Sequence, residues 1–225
     1  LSEVIEEEMR KGKKRVKIVA LSGPTHAEEV AQDMPTTIVS ACSDLEVAEK
    51  VQKIFTNTCM RVYTNPDIRG VELCGALKNV IALACGIASG VGYGDNTKAA
   101  LITRGISEMS RLAIKMGAKP ETLSGLTGIG DLIVTCESKH SRNRRAGMLI
   151  GQGYTMQQAM DEVKMVVEGV YSAKAAIGLA KKYEVDMPII EGVNRVLFED
   201  MPAKEAVLEL MAREKKAEHT NLEWE

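Results

Sequence analysis

Lys78 is the residue of this 225-residue chain whose surroundings most clearly suggest chemistry. It lies in a segment that is apolar on nearly every side and reads VELCGALKNVIALA over residues 71–84. Burial there disfavours the charged form of a lysine, which suits the side chain for exchanging a proton with a substrate hydroxyl or carbonyl. The alternative is a structural lysine whose ammonium reaches solvent at the edge of a helix.

Asp131 is a second candidate, because it ends the glycine-rich stretch GLTGIGD over residues 125–131. Glycines allow the backbone to approach a ligand closely, so the carboxylate could receive substrate hydroxyls or position Lys78. An N-cap at the start of a helix is the alternative. The glycines at 128–130 and those of GVGYG at 90–94 resemble pieces of a dinucleotide fingerprint. Neither group lies between a strand and a helix, so both are predicted to be turns.

The third candidate is the basic segment SKHSRNRR over residues 138–145. Guanidinium groups bind phosphate in bidentate fashion, and the serine and asparagine side chains supply further donors. The chain as a whole is nearly neutral, with 29 Lys and Arg against 31 Asp and Glu, so it offers no general attraction for nucleic acid or an anionic membrane. The segment therefore indicates a small phosphorylated ligand, with a solvated helix start as the alternative.

The composition narrows the class of protein further. A hydrophobic content of 45% suffices for a buried core, and the five cysteines form no C-x-x-C pair, which favours reduced thiols in a cytoplasm over disulfides or a metal site. The apolar stretch 73–88 is interrupted by Lys78 and Asn79 and is too short for a membrane span, so we expect a buried core helix. Leu1 leads directly into a helix-like run, which suggests that a longer protein has been cut here.

Two parts with different patterns must position these residues. Residues 16–21, 35–40 and 60–63 are predicted strands, with helices at 27–32 and after the N-cap Asp44, which is typical of an α/β sheet. After Pro66 the signals are helical. A helix is predicted from about Asp95 to Gly117, a capping box at Thr155 and Gln158, and first-turn prolines at 188 and 202.

Six motifs together resemble the bacterial type of glycerol-3-phosphate dehydrogenase, and they occur in that family's order. They are LSGPTHA (21–27), CGALKN (74–79), GDNTKAA (94–100), GDL (130–132), SRNRR (141–145) and VEGV (167–170). The likeness covers the chain from about residue 1 to about residue 216. Six motifs in register are far more specific than any one of them.

The resemblance implies an NADH- or NADPH-dependent reduction of dihydroxyacetone phosphate to sn-glycerol 3-phosphate for phospholipid synthesis. The implied fold is the end of a Rossmann-type α/β domain followed by a mainly α-helical substrate domain, like the C-terminal domain of 6-phosphogluconate dehydrogenase. The boundaries expected are 1–65 for the dinucleotide-binding part, 66–216 for the helical part and 217–225 for a polar tail. A homodimer is the expected assembly, without nucleic acid or membrane insertion.

The family's functional residues can be carried over onto matching positions. The catalytic lysine corresponds to Lys78. The implied substrate contacts are Gly23, Thr25, Lys78, Asp131, Ser141, Arg142 and Asn143, and the implied cofactor contacts are Ala27, Arg142, Val166 and Glu168. Thr25 replaces an expected serine and keeps the hydroxyl.

One departure from the family is large. The glycine-rich phosphate loop and a second substrate lysine are absent from the chain, so we expect this segment to be inactive alone. Two other readings stay open, which are a related two-domain hydroxy-acid dehydrogenase and a non-enzymatic helical module for dimerisation or nucleic-acid binding.

Overall fold

The first part of the molecule, seen in a computed structural model that describes residues 1–215, 217 and 218, contains all of the strands found among those residues. Its elements are α1 (Ser2–Lys11), β1 (Ala20–Ser22), α2 (Ala27–Val30), β2 (Thr36–Ala41), α3 (Leu45–Phe55) and β3 (Met60–Asn65). The strand order is β1-β2-β3, with β1 antiparallel and β3 parallel to β2. The central strand buries Ile38, Val39 and Ala41.

Local sequence signals account for most of these elements. The Asp44 side chain accepts a hydrogen bond from the amide of Val47 at 3.4 Å and begins α3, as predicted. The predicted strand over residues 16–21 was too long, because pairing with β2 begins only at Ala20. The residues before Ala20 have no neighbouring strand within the described part of the chain, and Val16 is left exposed.

Every regular element described after Asn65 is helical, which confirms the predicted fold class. These are α4 (Ile68–Val91), α5 (Asp95–Lys115), α6 (Pro120–Leu123), a π-helical turn (Leu126–Gly130), α7 (Asp131–Glu137), α8 (Arg142–Gly151), α9 (Met156–Val163), α10 (Glu168–Tyr183), α11 (Pro188–Phe198) and α12 (Ala203–Ala212). The capping box at Thr155 and Gln158 is present. Pro188 is the first residue of α11, whereas Pro202 is the N-cap of α12 and not its first residue. Of the predicted polar tail at 217–225, the structure describes only Ala217 and Glu218, and the rest lies outside the described residues.

Helix α4 is the centre of the helical part. It packs against α5, α7, α8, α10, α11 and α12, and its residues from Val80 to Leu83 are completely buried. By length and composition alone α4 could cross a membrane, but 67% of its most apolar window is buried inside the protein. The prediction of a buried core helix is therefore confirmed.

Four glycines allow α4 and α8 to touch backbone to backbone. Gly86 and Gly90 lie four residues apart on α4, and Gly147 and Gly151 have the same spacing on α8. A methyl group on Gly86 would clash with the carbonyl oxygen of Arg144, and one on Gly147 would clash with that of Leu83. Small residues at this spacing let two helices pack closely, and here they fix the position of α8 on α4.

A buried carboxylate joins α5 to the start of α11. Glu108 accepts hydrogen bonds from the amides of Ile189 at 2.8 Å and Ile190 at 3.3 Å, which are in the first turn of α11. Burial raises the pKa of Glu108 from 4.5 to about 7, against the effect of those two amides. The carboxylate therefore caps a helix at the cost of its own desolvation.

We expect Gly147→Ala to lower the free energy of unfolding by roughly 1–3 kcal/mol, because the methyl group forces α8 away from α4. Gly178→Ala is the matched control, since Gly178 lies inside α10 with open space around the position of a Cβ atom. That change should raise stability by about 0.5–1 kcal/mol, since alanine is the better helix former. Chemical denaturation measures both, and equal effects would contradict the proposed packing role.

Stability should also depend on the ionisation of Glu108. Its folded pKa exceeds its unfolded value, so the protonated form stabilises the fold below about pH 4.5, and this advantage is lost as the pH rises through about 7. Relative to Glu108→Gln, the wild type should lose roughly 3 kcal/mol of unfolding free energy across this range. Denaturation curves at several pH values test this. Glu121→Gln, at an exposed position, should show no such trend.

Candidate active site

Lys78 and Asp131 form a close ion pair at the centre of the helical part. Lys78 comes from the middle of α4 and Asp131 is the first residue of α7, and the distance from Nζ to Oδ1 is 2.6 Å. The Lys78 side chain is 19% exposed and that of Asp131 only 5%. The Lys78 side chain is therefore mostly buried, with a small part of its surface still in contact with solvent.

The buried Asp131 carboxylate has two neighbouring donors, the Lys78 ammonium and the Thr135 hydroxyl. The hydroxyl of Thr135, one helical turn later, lies 3.3 Å from Oδ1 and donates to the Asp131 carbonyl at 2.6 Å. Burial raises the pKa of Asp131, while Lys78 and Thr135 oppose that rise. Asp131 caps no helix with its side chain, so the N-cap alternative was wrong. Thr135 was missed, although a hydroxyl four residues after a buried acid is a readable signal.

The backbone before Asp131 is a short π-helix over Leu126–Gly130, whereas a simple turn was predicted for the glycines at 128–130. Gly128 makes it possible, because any side chain there would clash with the backbone of Leu123. Single π-helical turns are frequent at functional sites, where they change the direction of a side chain. At the other glycine cluster, Gly92 has φ +103° and ends α4, so a turn is confirmed there, but Gly90 belongs to α4 itself.

Cys74 shares a face of α4 with Lys78, one turn earlier. Burial raises its pKa to about 12, so the thiol stays protonated at neutral pH and is unsuited to act as a nucleophile. All five cysteines lie within the described residues and carry free thiols. No group of three or more His, Cys, Asp or Glu residues in the described chain could hold a metal ion.

A second polar network lies beside the pair and joins three helices. The amide group of Asn143, on α8, donates to the side-chain oxygen of Asn79 at 2.9 Å and accepts from the backbone amide of Gly169 at 2.8 Å. Asn79 follows Lys78 on α4, so the network joins the helix that carries Lys78 to the starts of α8 and α10. Asn79 was not selected from the sequence, although it is a polar residue in the same apolar segment as Lys78.

The start of α8 presents the basic segment. Ser141 is buried and caps the helix, since its hydroxyl oxygen accepts from the amide of Arg144 at 3.2 Å. Arg142 donates from Nη2 to Oε1 of Glu168 at 2.9 Å, so two of the residues predicted to contact the cofactor touch each other. Val166 precedes Glu168 by two residues and is 60% exposed.

The loop after β1 carries the remaining predicted residues. Gly23 has φ +152°, a conformation that side chains rarely adopt, and the Thr25 hydroxyl donates to its carbonyl at 3.2 Å. Thr25 and Ala27 are exposed. The ring of His26, between them, lies 6.1 Å from that of His140, which places this loop beside the basic segment.

Comparison with known proteins identifies the family of this arrangement. The family model for the C-terminus of NAD-dependent glycerol-3-phosphate dehydrogenase matches residues 67–208, and the N-terminus model matches residues 1–48. The chain belongs to the NAD-dependent glycerol-3-phosphate dehydrogenase family.

Individual relatives agree with this result. A protein of Agathobacter rectalis named glycerol-3-phosphate dehydrogenase [NAD(P)+] is 70% identical over 92% of this chain and 62% of its own length. One from Fusobacterium nucleatum is 60% identical over 97% of this chain and 64% of its own length. A glycerol-3-phosphate dehydrogenase structure from Coxiella burnetii, 40% identical, covers 94% of this chain and 64% of its own, with a TM-score of 0.89. The chain thus spans less than two thirds of each of these proteins.

Removing the Lys78 ammonium should destabilise the fold, because the buried Asp131 carboxylate then has no counter-charge. We expect Lys78→Met to lower the unfolding free energy by about 3 kcal/mol at pH 8, because a buried carboxylate is left without its partner. The pKa of Asp131 is already raised, so this loss should shrink as the pH falls and the carboxyl group becomes protonated. Lys78→Met combined with Asp131→Asn should recover stability at pH 8. Equal denaturation midpoints for the single and double variants would contradict the pairing.

Proposed function

We propose that this chain is the substrate-binding and proton-transferring part of an NAD(P)-dependent glycerol-3-phosphate dehydrogenase. The enzyme would interconvert dihydroxyacetone phosphate and sn-glycerol 3-phosphate, which serves phospholipid synthesis. The observation that carries the proposal is the 2.6 Å pair of Lys78 and Asp131, buried beside a basic helix start. Family membership and the names of the relatives support it.

Lys78 is proposed to move the proton of the reaction. In the direction of reduction its ammonium donates to the ketone oxygen, and in the reverse direction the amine takes the proton from the substrate hydroxyl. Asp131 holds the ammonium in place and can accept a hydrogen bond from a substrate hydroxyl. The apolar residues around the pair exclude much of the water, so these electrostatic interactions are stronger than they would be in bulk solvent.

The phosphate group is assigned to the start of α8. The amides in the first turn of a helix and its dipole attract anions, and Arg142 adds a guanidinium group. Ser141 and Asn143 contribute polar side chains, although each already has a structural hydrogen bond. Gly23 and Thr25 would close the pocket from the loop after β1.

The cofactor face is assigned to Ala27, Arg142, Val166 and Glu168. These residues are exposed enough for a large ligand to lie across them. Ala27 and Val166 face solvent, and the side chains of Arg142 and Glu168 are about 40% exposed. NAD(P)H supplies the hydride when it is bound. The glycine-rich loop that grips the pyrophosphate in such enzymes is not among these 225 residues, so the face is only part of a cofactor site.

The organisation of the chain is proposed to follow the change from strands to helices. Residues 1–65 form the end of the dinucleotide-binding domain, residues 66–216 the substrate domain and residues 217–225 a polar tail. Helix α1 ties the two parts together, since the backbone amide and the hydroxyl of Ser2 each donate to Glu72 at 2.7 Å. A cytoplasmic location and a homodimer, with no nucleic acid or membrane insertion, complete the proposal.

Turnover tests this function. The 225-residue chain alone should bind glycerol 3-phosphate but oxidise no measurable NADH or NADPH with dihydroxyacetone phosphate, because hydride transfer needs a firmly held nicotinamide. Joined to the remaining part of the Agathobacter rectalis relative, it should be active. In that chimera Lys78→Met should lower kcat ~10²–10⁴-fold, the usual contribution of acid–base catalysis. The exposed Lys181→Met is the control and should keep full activity.

Two outcomes would count against the proposal. Robust turnover by the chain alone, shown by mass spectrometry to begin at Leu1, would mean that a cofactor site is built from other residues. Retention of more than roughly a tenth of kcat by Lys78→Met would remove Lys78 from the proton transfer. The double variant with Asp131→Asn guards against misfolding, since it should be stable and equally inactive.

A further inference from the structure

Arg142 and Glu168 are the first residues of two helices that begin side by side. Their side chains are 37% and 41% exposed, and Nη2 of Arg142 lies 2.9 Å from Oε1 of Glu168. The next residues, Asn143 and Gly169, are joined by a 2.8 Å hydrogen bond between the Asn143 side chain and the Gly169 backbone. The two helix starts are thus held together, and the ion pair can open only by rotation of its side chains.

The position of this pair matters because the guanidinium lies where an anion is expected. A phosphate group carries a charge of about −1.5 to −2 at neutral pH and binds guanidinium through two parallel hydrogen bonds. Glu168 already occupies one of those donors, and its negative charge repels an arriving phosphate. Partial exposure to solvent weakens both the Arg142–Glu168 attraction and the repulsion of phosphate by Glu168. It removes neither, since the charged groups are in direct contact.

We propose that Glu168 is an internal competitor for Arg142, so that each phosphate ligand must displace its carboxylate from the guanidinium. The inference rests on the proposed function, because it takes the start of α8 as the phosphate site. The new element is the role of Glu168, whose competition lowers the affinity of this site for phosphate. A free phosphate ion must overcome the competition alone, whereas a triose phosphate gains further contacts at Lys78 and Asp131.

The hydrogen bonds around the pair support competition over simple positioning. The backbone of Arg142 needs no help from Glu168, because it begins α8, whose place is fixed by the glycine contacts with α4 and by Asn143 on Asn79. Glu168 likewise begins α10, whose first turn is held through Gly169. Removal of the Glu168 charge should therefore leave Arg142 at the start of α8, with its guanidinium donors free and within reach of an arriving phosphate.

The experiment is calorimetric titration of the 225-residue chain with inorganic phosphate and with glycerol 3-phosphate at low ionic strength. We expect Glu168→Gln to bind both ligands at least five-fold more tightly than the wild type. Glu162→Gln makes the same change of net charge at an exposed position on α9 and should bind as the wild type does. A gain in affinity cannot come from unfolding, so the result is independent of any loss of stability.

A double-variant comparison shows whether the effect passes through Arg142. Arg142→Gln should weaken binding of both ligands, and adding Glu168→Gln to it should bring no gain. Unchanged or weaker binding by Glu168→Gln, an equal gain in Glu162→Gln, or a gain that persists without Arg142 would each overturn the inference. So would the absence of phosphate binding in every variant, since Arg142 would then form no anion site.

The same titrations separate this inference from the proposed function. Glycerol 3-phosphate should bind the wild type more tightly than inorganic phosphate does, because it also reaches Lys78 and Asp131. If the two ligands bind equally while Glu168→Gln still strengthens both, the competition stands and the substrate assignment fails.

Discussion

The backbones of α4 and α8 touch because glycines face each other across the contact, and this approach determines where the chemistry can occur. Helix α8 carries Arg142 and Asn143 at its first turn, while α4 carries Lys78 and Asn79. With ordinary side chains at the four glycines the helices would lie farther apart, and Asn143 could not reach Asn79. The polar groups of the site are therefore positioned by residues that have no side chains at all.

A second constraint is the burial of charge beside this contact. Lys78 and Asp131 come from helices whose relevant residues lie 53 positions apart in sequence, and each compensates the other's desolvation. The π-helical turn adds a residue to the approach to α7 and so sets the direction of the Asp131 side chain. A buried pair of this kind contributes little net stability, because the desolvation of the two charges offsets their attraction.

Local features were predictable from the sequence, and most features that depend on a distant partner were not. The cap at Asp44, the capping box at Thr155 and the extent of α5 follow from neighbouring residues and match the structure. Asp131 was named from the sequence as a residue that could position Lys78, and the 2.6 Å pair agrees with this, but the help of Thr135 and the network through Asn79 were not foreseen. The short pairing of β1 and the π-helical turn depend on tertiary packing, as does the role of Gly86 and Gly147.

Helix α4 also faces a problem of timing during synthesis. The partners that bury it, α8 and α10, end at Gly151 and Tyr183, up to about 90 residues later in the chain. At roughly 5–20 residues per second, a nascent α4 stays uncovered for about 5–20 seconds, when exposed apolar surface favours aggregation. Its composition would then also suit insertion into a bilayer. Lys78 lies near the middle of α4, where a charge costs about 2.5–3.5 kcal/mol inside a bilayer. The same lysine therefore opposes insertion of the unfinished chain into a membrane.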